Sequence, residues 1–281
     1  MIFHGLISQK PDSKKVHLNG LQRLLFLFTV VISFFLLSCE DDAISNDINS
    51  VGFSGRSYLE ISGNAALDSI FSRDFSIEIW IQADTSLPDS QRAILMIGNE
   101  LGGTEIGFFQ GDSDSSRIDF TVDEQTMGGF HPASLDWRQS RFHQICLTRQ
   151  ESHVRFYFDG KEIASFALAG IDINVGLSNL LIGGAYRSPG RNTGARNFWT
   201  GLVDEVRLWN RCLSSDEVLF HQNHPDKLFE HFMESLSVLP VGIWRFNGSC
   251  NDYIPDEAGN GNSAWIRGAS GSVYWSNLGA D

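Results

Sequence analysis

Paired carboxylates would mean hydrolysis, so they are the first residues to weigh. A retaining glycosidase needs two carboxyl groups about 5–5.5 Å apart, and on a strand only alternate residues share a face. Asp204 and Glu205 are adjacent, so alternation sends them to opposite faces. Asp119, Asp123 and Glu124 come nearer, but Asp119 and Asp123 lack a third partner at the right step. Glu78 stands alone among apolar neighbours. No Gly-x-Ser-x-Gly elbow offers a nucleophile. His221 and His224 are three apart, not the i, i+4 of a His-Glu-x-x-His metal pair, and read as surface polarity. Catalysis is not expected.

Binding chemistry has better candidates. In residues 252–262, Asp256, Asn260 and Asn262 have the oxygen chemistry for Ca2+, which takes six to eight such ligands. Asx and Gly residues also simply make turns, and both readings stay open. Residues 186–199 (YRSPGRNTGARNFW) gather arginines, amides and aromatics in one loop. A pyranose has one apolar face and a rim of hydroxyls, so an aromatic platform with guanidinium and amide donors suits it. Tyr186, Arg187, Arg191, Asn197 and Trp199 are the candidate ligand-binding residues. The competing reading is a solubilising loop whose Phe198 and Trp199 turn into the core.

One cysteine suggests a covalent modification. Lys10, Lys14, Lys15 and Arg23 precede an apolar run at 24–37 that is 14 residues long. A membrane span needs about 20 such residues, a secretory segment roughly 7–15. The run ends in Leu36-Leu37-Ser38-Cys39, which resembles the bacterial lipobox. Residues 1–39 are therefore expected to be a lipoprotein signal peptide, with Cys39 carrying the lipid. Each buried acyl methylene contributes about 0.8 kcal/mol, so the anchor holds the chain at a membrane. Glu40, Asp41 and Asp42 resemble the surface-export signal of Bacteroidetes lipoproteins. The expected location is the cell envelope, as an outer-membrane lipoprotein that could face outward.

Residues 40–50 read as an acidic linker and 51–281 as one domain. Residues 40–281 carry 17 basic against 33 acidic side chains, a balance of −16. That argues against nucleic acid and against an anionic membrane face as partners. Cys146, Cys212 and Cys250 lack metal-ligand spacing and allow at most one internal disulfide.

The elements that would position these residues are strands. Residues 75–81 (FSIEIWI) are apolar at every odd position, and similar runs lie at 58–61, 93–97, 105–109, 117–122, 142–149 and 154–158. More follow at 162–166, 180–182, 201–209, 241–246 and 273–275. Gln150-Glu151-Ser152-His153 and Asp159-Gly160 are hairpin signals. A dozen strands without alternating helices predict an all-β, antiparallel sandwich or barrel with one or two short helices, and the many aromatics would fill the space between two sheets. One helix is predicted at 215–223, where Ser214 and Glu217 form a capping box. A second would follow Pro225 with Leu228, Phe229, Phe232 and Leu236 on one face.

These segments also resemble a family. Residues 75–80 (FSIEIW) are similar to a strand of LamG-like jelly-roll domains in the concanavalin A-like superfamily. Residues 142–149 (FHQICLTR) with 156–161 (FYFDGK) resemble their hairpin. Residues 181–184 (LIGG), 201–214 (GLVDEVRLWNRCLS), 242–246 (GIWRF) and 256–262 (DEAGNGN) follow in the family's order. The resemblance implies a jelly roll and makes Cys146 and Cys212 small fillers where the family has alanine. It implies a structural role for Asp204, Glu205 and Arg207.

The same superfamily includes glucanases, but their Glu-x-Asp-x-x-Glu run is missing here. A distant pentraxin likeness would place calcium ligands at Ala185-Tyr186-Arg187 and near Gly103-Thr104, which supply almost no suitable oxygens. The pentraxin disulfide partner of Cys146 would fall near Glu78, so that bond is not expected. The expected function is a non-catalytic, lipid-anchored module binding a glycan or a surface protein. The alternatives are a divergent polysaccharide hydrolase and a structural or adhesive envelope protein.

Overall fold

The computed structural model describes residues 50–71, 73–84, 92–98, 106–111, 116–122, 125–131, 141–168, 178–186, 195–225, 239–247 and 252–280. Cys39, the signal segment, residues 40–49 of the linker and Cys250 lie outside them, as does the helix expected after Pro225. In chain order the strands are β1 (Ser50–Ser54), β2 (Ser57–Ile61), β3 (Phe75–Ala83), β4 (Arg92–Gly98), β5 (Ile106–Gln110) and β6 (Ile118–Val122). Then come β7 (Gln125–Phe130), β8 (His143–Gln150), β9 (His153–Phe158), β10 (Lys161–Ala167), β11 (Asn179–Ile182) and β12 (Ala185–Tyr186). The series ends with β13 (Ala195–Arg196), β14 (Thr200–Trp209), β15 (Gly242–Trp244), β16 (Tyr253–Ile254), β17 (Ala264–Gly268) and β18 (Val273–Ser276). Two helices are described, α1 (Ala65–Phe71) and α2 (Ser215–Asn223).

The strands form two antiparallel sheets of eight and a small β12–β13 hairpin. The first sheet runs β10-β9-β8-β3-β14-β1-β18, with β15 also paired to β14. The second runs β16-β17-β2-β11-β4-β5-β6-β7. This is the two-sheet jelly-roll sandwich that the resemblance implies.

Alternation decides what lies between the sheets. Phe75, Ile77, Ile79 and Ile81 of β3 enter the central core, as do Ile145 and Leu147 of β8. The second sheet contributes Leu59, Ile61, Leu95, Ile97, Phe108 and Phe120. Phe156 is an aromatic hub, its ring 5.7, 5.3, 5.3 and 5.5 Å from those of Phe108, Phe120, Phe130 and Phe166. Each such pair contributes about 0.5–1.5 kcal/mol beyond simple burial.

Local signals set the ends. Asp159 and Gly160 take φ of 46° and 74°, the paired left-handed values of a type I′ hairpin turn. At α2, the Ser214 hydroxyl accepts from the Glu217 backbone, and the Glu217 carboxylate accepts from Ser214 N at 2.8 Å. Helix α1 was not anticipated. Asn64 Oδ1 accepts from Ala66 N and Leu67 N, capping a short helix that buries Leu67, Ile70 and Phe71.

Two smaller apolar clusters cover the outer faces. Under α2, Cys146, Tyr157, Trp209, Leu213, Val218 and Ile243 pack together on the first sheet. On the second, Ala93, Met96, Phe109, Leu181, Ala185 and Tyr186 do so. Cys146 is buried and Cys212 half-buried, both as free thiols; burial pushes the Cys146 thiol well above its ordinary pKa.

Candidate functional site

The most suggestive surface lies at one edge of the second sheet. Register sets Tyr253 opposite Trp265, Trp265 opposite Glu60, and Arg267 opposite Tyr58. Ala264 and Ile266 pack inward, so alternation turns Trp265 and Arg267 outward. Trp265 is 43% and Tyr253 39% exposed. Their ring centroids are 5.2 Å apart. The Arg267 guanidinium lies 5.9 Å from the Trp265 ring centroid, and its Nε is 3.6 Å from Glu60 Oε1.

Two exposed rings beside a guanidinium and a carboxylate can stack on a sugar's apolar face while donating to and accepting from its hydroxyls. These residues are inconspicuous in the sequence. The signal is present but short: in Ala264-Trp265-Ile266-Arg267 the aromatic and the cation share the face opposite two core residues.

The loop favoured from sequence runs between the strands of the separate β12–β13 ribbon, and its described residues divide. Tyr186 and Trp199 are buried. Trp199 donates its backbone N–H to the Gly183 carbonyl and places its ring in the central core. It therefore offers no platform to a ligand, because the chain is already entering β14. Tyr186 packs in the outer cluster, where its hydroxyl accepts from Asn179 Nδ2 at 2.6 Å. Asn197 adopts φ of 53° and its carbonyl accepts from Ala93 N, pinning the loop to β4. Its side chain is half-buried. Arg187 and Arg191 lie outside the described residues. Phe198, which the competing reading turns into the core beside Trp199, is instead half-buried and stacks on Tyr58 with centroids 6.1 Å apart. Tyr58 in turn stands opposite Arg267 on β17.

The candidate calcium loop is built as a turn. Asp256 Oδ1 accepts from Ile243 N and Ala258 N, and Oδ2 from the backbone and side-chain nitrogens of Asn262. Asn262 Oδ1 accepts from Asn64 Nδ2, and Asn260 Nδ2 donates to the Val241 carbonyl. The side-chain oxygens of Asp256 and Asn262 are thus not free for Ca2+ in this arrangement, while Asn260 is held through its nitrogen. Nor does any group of three His, Cys, Asp or Glu with metal-binding geometry occur among the described residues. Asp256→Ala is expected to cost about 1–3 kcal/mol, the penalty of stranding buried donors. Thermal melting should give the same loss with and without millimolar calcium.

The isolated Glu78 of the sequence is the centre of a buried polar network. On β3 it faces away from the central core yet is fully buried, covered by α2. Gln144 Nε2 and Trp209 Nε1 donate to its two oxygens at 2.9 Å each. His221 Nδ1 lies 2.9 Å from Oε1, and Arg207 Nη1 lies 4.0 Å from Oε2. His221 is fully buried, not on the surface, with its ring parallel to Trp209 at 5.4 Å. Burial raises the Glu78 pKa, but the His221 charge and hydrogen bond, Arg207 and Trp209 outweigh it, so the carboxyl stays below its ordinary value.

Glu205 also departs from the alternation argument. A bulge between Asp204 and Val206, with Glu205 at φ 40°, brings its carboxylate to Arg207 Nε at 2.7 Å and Arg245 Nε at 3.1 Å. Asp204 instead accepts from Glu205 N and Ala280 N. These acids serve cations and backbone.

The sequence matches the family described as the concanavalin A-like lectin/glucanases superfamily (Laminin_G_3) over residues 53–219, more than half of the chain. The chain belongs to this superfamily. No curated protein sequence matches it. Among solved structures it is similar to a candidate carbohydrate binding protein from Bacteroides ovatus, at 16% identity and a TM-score of 0.56, over 82% of this chain. The chain spans 60% of that protein's length. It is also similar to the Ruminococcus gnavus IT-sialidase CBM40 bound to α2,3-sialyllactose, at 12% identity and 0.49, covering 62% of this chain and 96% of that one. The heptameric SAP-like pentraxin of Limulus polyphemus matches at 11% identity and 0.46, covering 64% and 83%. At these identities the likeness is one of fold. Within the concanavalin A-like superfamily, the Tyr253–Trp265–Arg267 edge must be judged on its own chemistry.

Proposed function

We propose that the chain is an outer-membrane lipoprotein, lipidated at Cys39, whose sandwich binds carbohydrate without cleaving it. The solvent-exposed Tyr253–Trp265 pair carries this reading, since adjacent rings on an outward sheet face have no role in the core. Arg267 and Glu60 supply the polar rim, and the Tyr58–Phe198 pair extends the aromatic surface towards the loop. The binding-only reading is supported by Glu78 and Glu205, which hold arginines rather than standing as a proton-transfer pair. The acidic run at 40–42 favours display outside the cell, and the strongly negative charge favours glycan or protein over nucleic acid.

The test has two readouts on one protein. The chain is expected to be retained on an immobilised polysaccharide from a panel while releasing no new reducing ends. Cys39→Ser should move it from the membrane to the soluble fraction with retention unchanged. Release of reducing ends by wild type, or membrane attachment that survives the substitution, would overturn the corresponding half.

A further inference from the structure

At the end of the first sheet where β3 begins, a cleft of about 500 Å3 is lined by Arg73, Asp74, Arg149, Glu151, Asn210 and Arg211. Register explains the convergence. Phe75 pairs with Arg149 and Ser76 with Trp209, so the segments before β3, after β8 and after β14 meet at one rim.

The six side chains fall into two sets. Arg149 is fixed by donating to the Phe71 and Glu151 carbonyls at 3.0 and 2.9 Å. Arg211 is fixed by Glu217 at 2.8 Å and lies over the Trp209 ring. Asp74 Oδ1 accepts from Glu151 N, holding the β8–β9 turn. By contrast Arg73, Glu151 and Asn210 are exposed, and their side chains make no hydrogen bond or ion pair among the described residues. Oriented guanidiniums therefore stand beside an uncommitted cation, carboxylate and amide, in a domain otherwise strongly acidic.

We infer that this cleft is a second binding site, for a hydroxylated carboxylate of the sugar-acid class. With Arg211 paired to Glu217 and Arg149 held by carbonyls, Arg73 is the one guanidinium of the lining left uncommitted, which suits a ligand with a single carboxylate. Guanidiniums pair with a carboxylate through two parallel N–H donors. Asp74 and Glu151 would repel a bare polyanion, but they accept from hydroxyls, and Asn210 both donates and accepts. The volume is within the range of small-ligand sites, roughly 300–1,000 Å3. No residue is shared with the Tyr253–Trp265 edge, so the cleft stands independently of that reading.

The test is calorimetric titration of the full chain in detergent with D-glucuronate, D-glucose and acetate. Saturable glucuronate binding is expected, at least tenfold tighter than either control. Arg73→Ala and Asn210→Ala replace exposed groups and should each weaken it about tenfold with the melting temperature unchanged, whereas Trp265→Ala should leave it intact. No glucuronate binding would overturn the assignment, as would equal affinity for glucose or acetate. Loss in Trp265→Ala but not in Arg73→Ala would overturn it too, placing the acid at the other edge.

Discussion

Glu78→Gln should destabilise the domain by about 3–5 kcal/mol, the usual cost of removing one partner from a buried ion pair. Glutamine keeps the shape but leaves the fully buried Arg207 and His221 without their counter-charge. In a domain of this size each kcal/mol lowers Tm by roughly 2–4 °C, so a drop of about 10 °C is expected by calorimetry. The effect should depend on pH in one direction. Glu78 has a folded pKa below the ordinary 4.5. Its contribution is complete above that value and is lost as pH falls through the lower folded one. The gap between wild type and variant should therefore be full at pH 7 and shrink on acidification below about pH 4. A gap that stays constant down to pH 2, or one below about 1 kcal/mol at pH 7, would mean that Glu78 is not an ionised hub.

Trp265→Ala should have the opposite profile. At 43% exposure the ring leaves little behind when removed, and surface changes of this kind usually alter stability by about 0.5 kcal/mol or less. Carbohydrate affinity should fall by about 2 kcal/mol, the typical cost of truncating an aromatic anchor, or roughly 30-fold. Tyr253→Ala should weaken binding less, because it removes the smaller ring of the pair. Unchanged affinity in both variants would remove this edge from the binding surface.

Much of the fold was legible because β-alternation is a local signal. The odd positions of 75–81 go into the core, as their apolar character requires, and the capping box at Ser214 starts α2 where expected. Pairings between distant residues were not legible. Glu78 and His221 are 143 positions apart, and nothing near either residue tells that α2 lies across β3. Alternation misled at Glu205, where the bulge redirects the side chain towards Arg207. Composition misled at Trp199: a loop rich in arginine and aromatics looked like a sugar platform, but the tryptophan was the first core residue of the approaching strand. Trp265 was missed for the converse reason. Its strand is only five residues long, and its inward partners, Ala264 and Ile266, make a weak apolar pattern.

The most direct test of carbohydrate recognition uses the indole N–H resonances of the seven tryptophans. Titration with a neutral oligosaccharide from the polysaccharide that the protein retains should shift Trp265 progressively and to saturation. The signals of the buried Trp80, Trp199, Trp209 and Trp244 should stay in place. Binding heat accompanied by an unmoved Trp265 resonance would contradict the account.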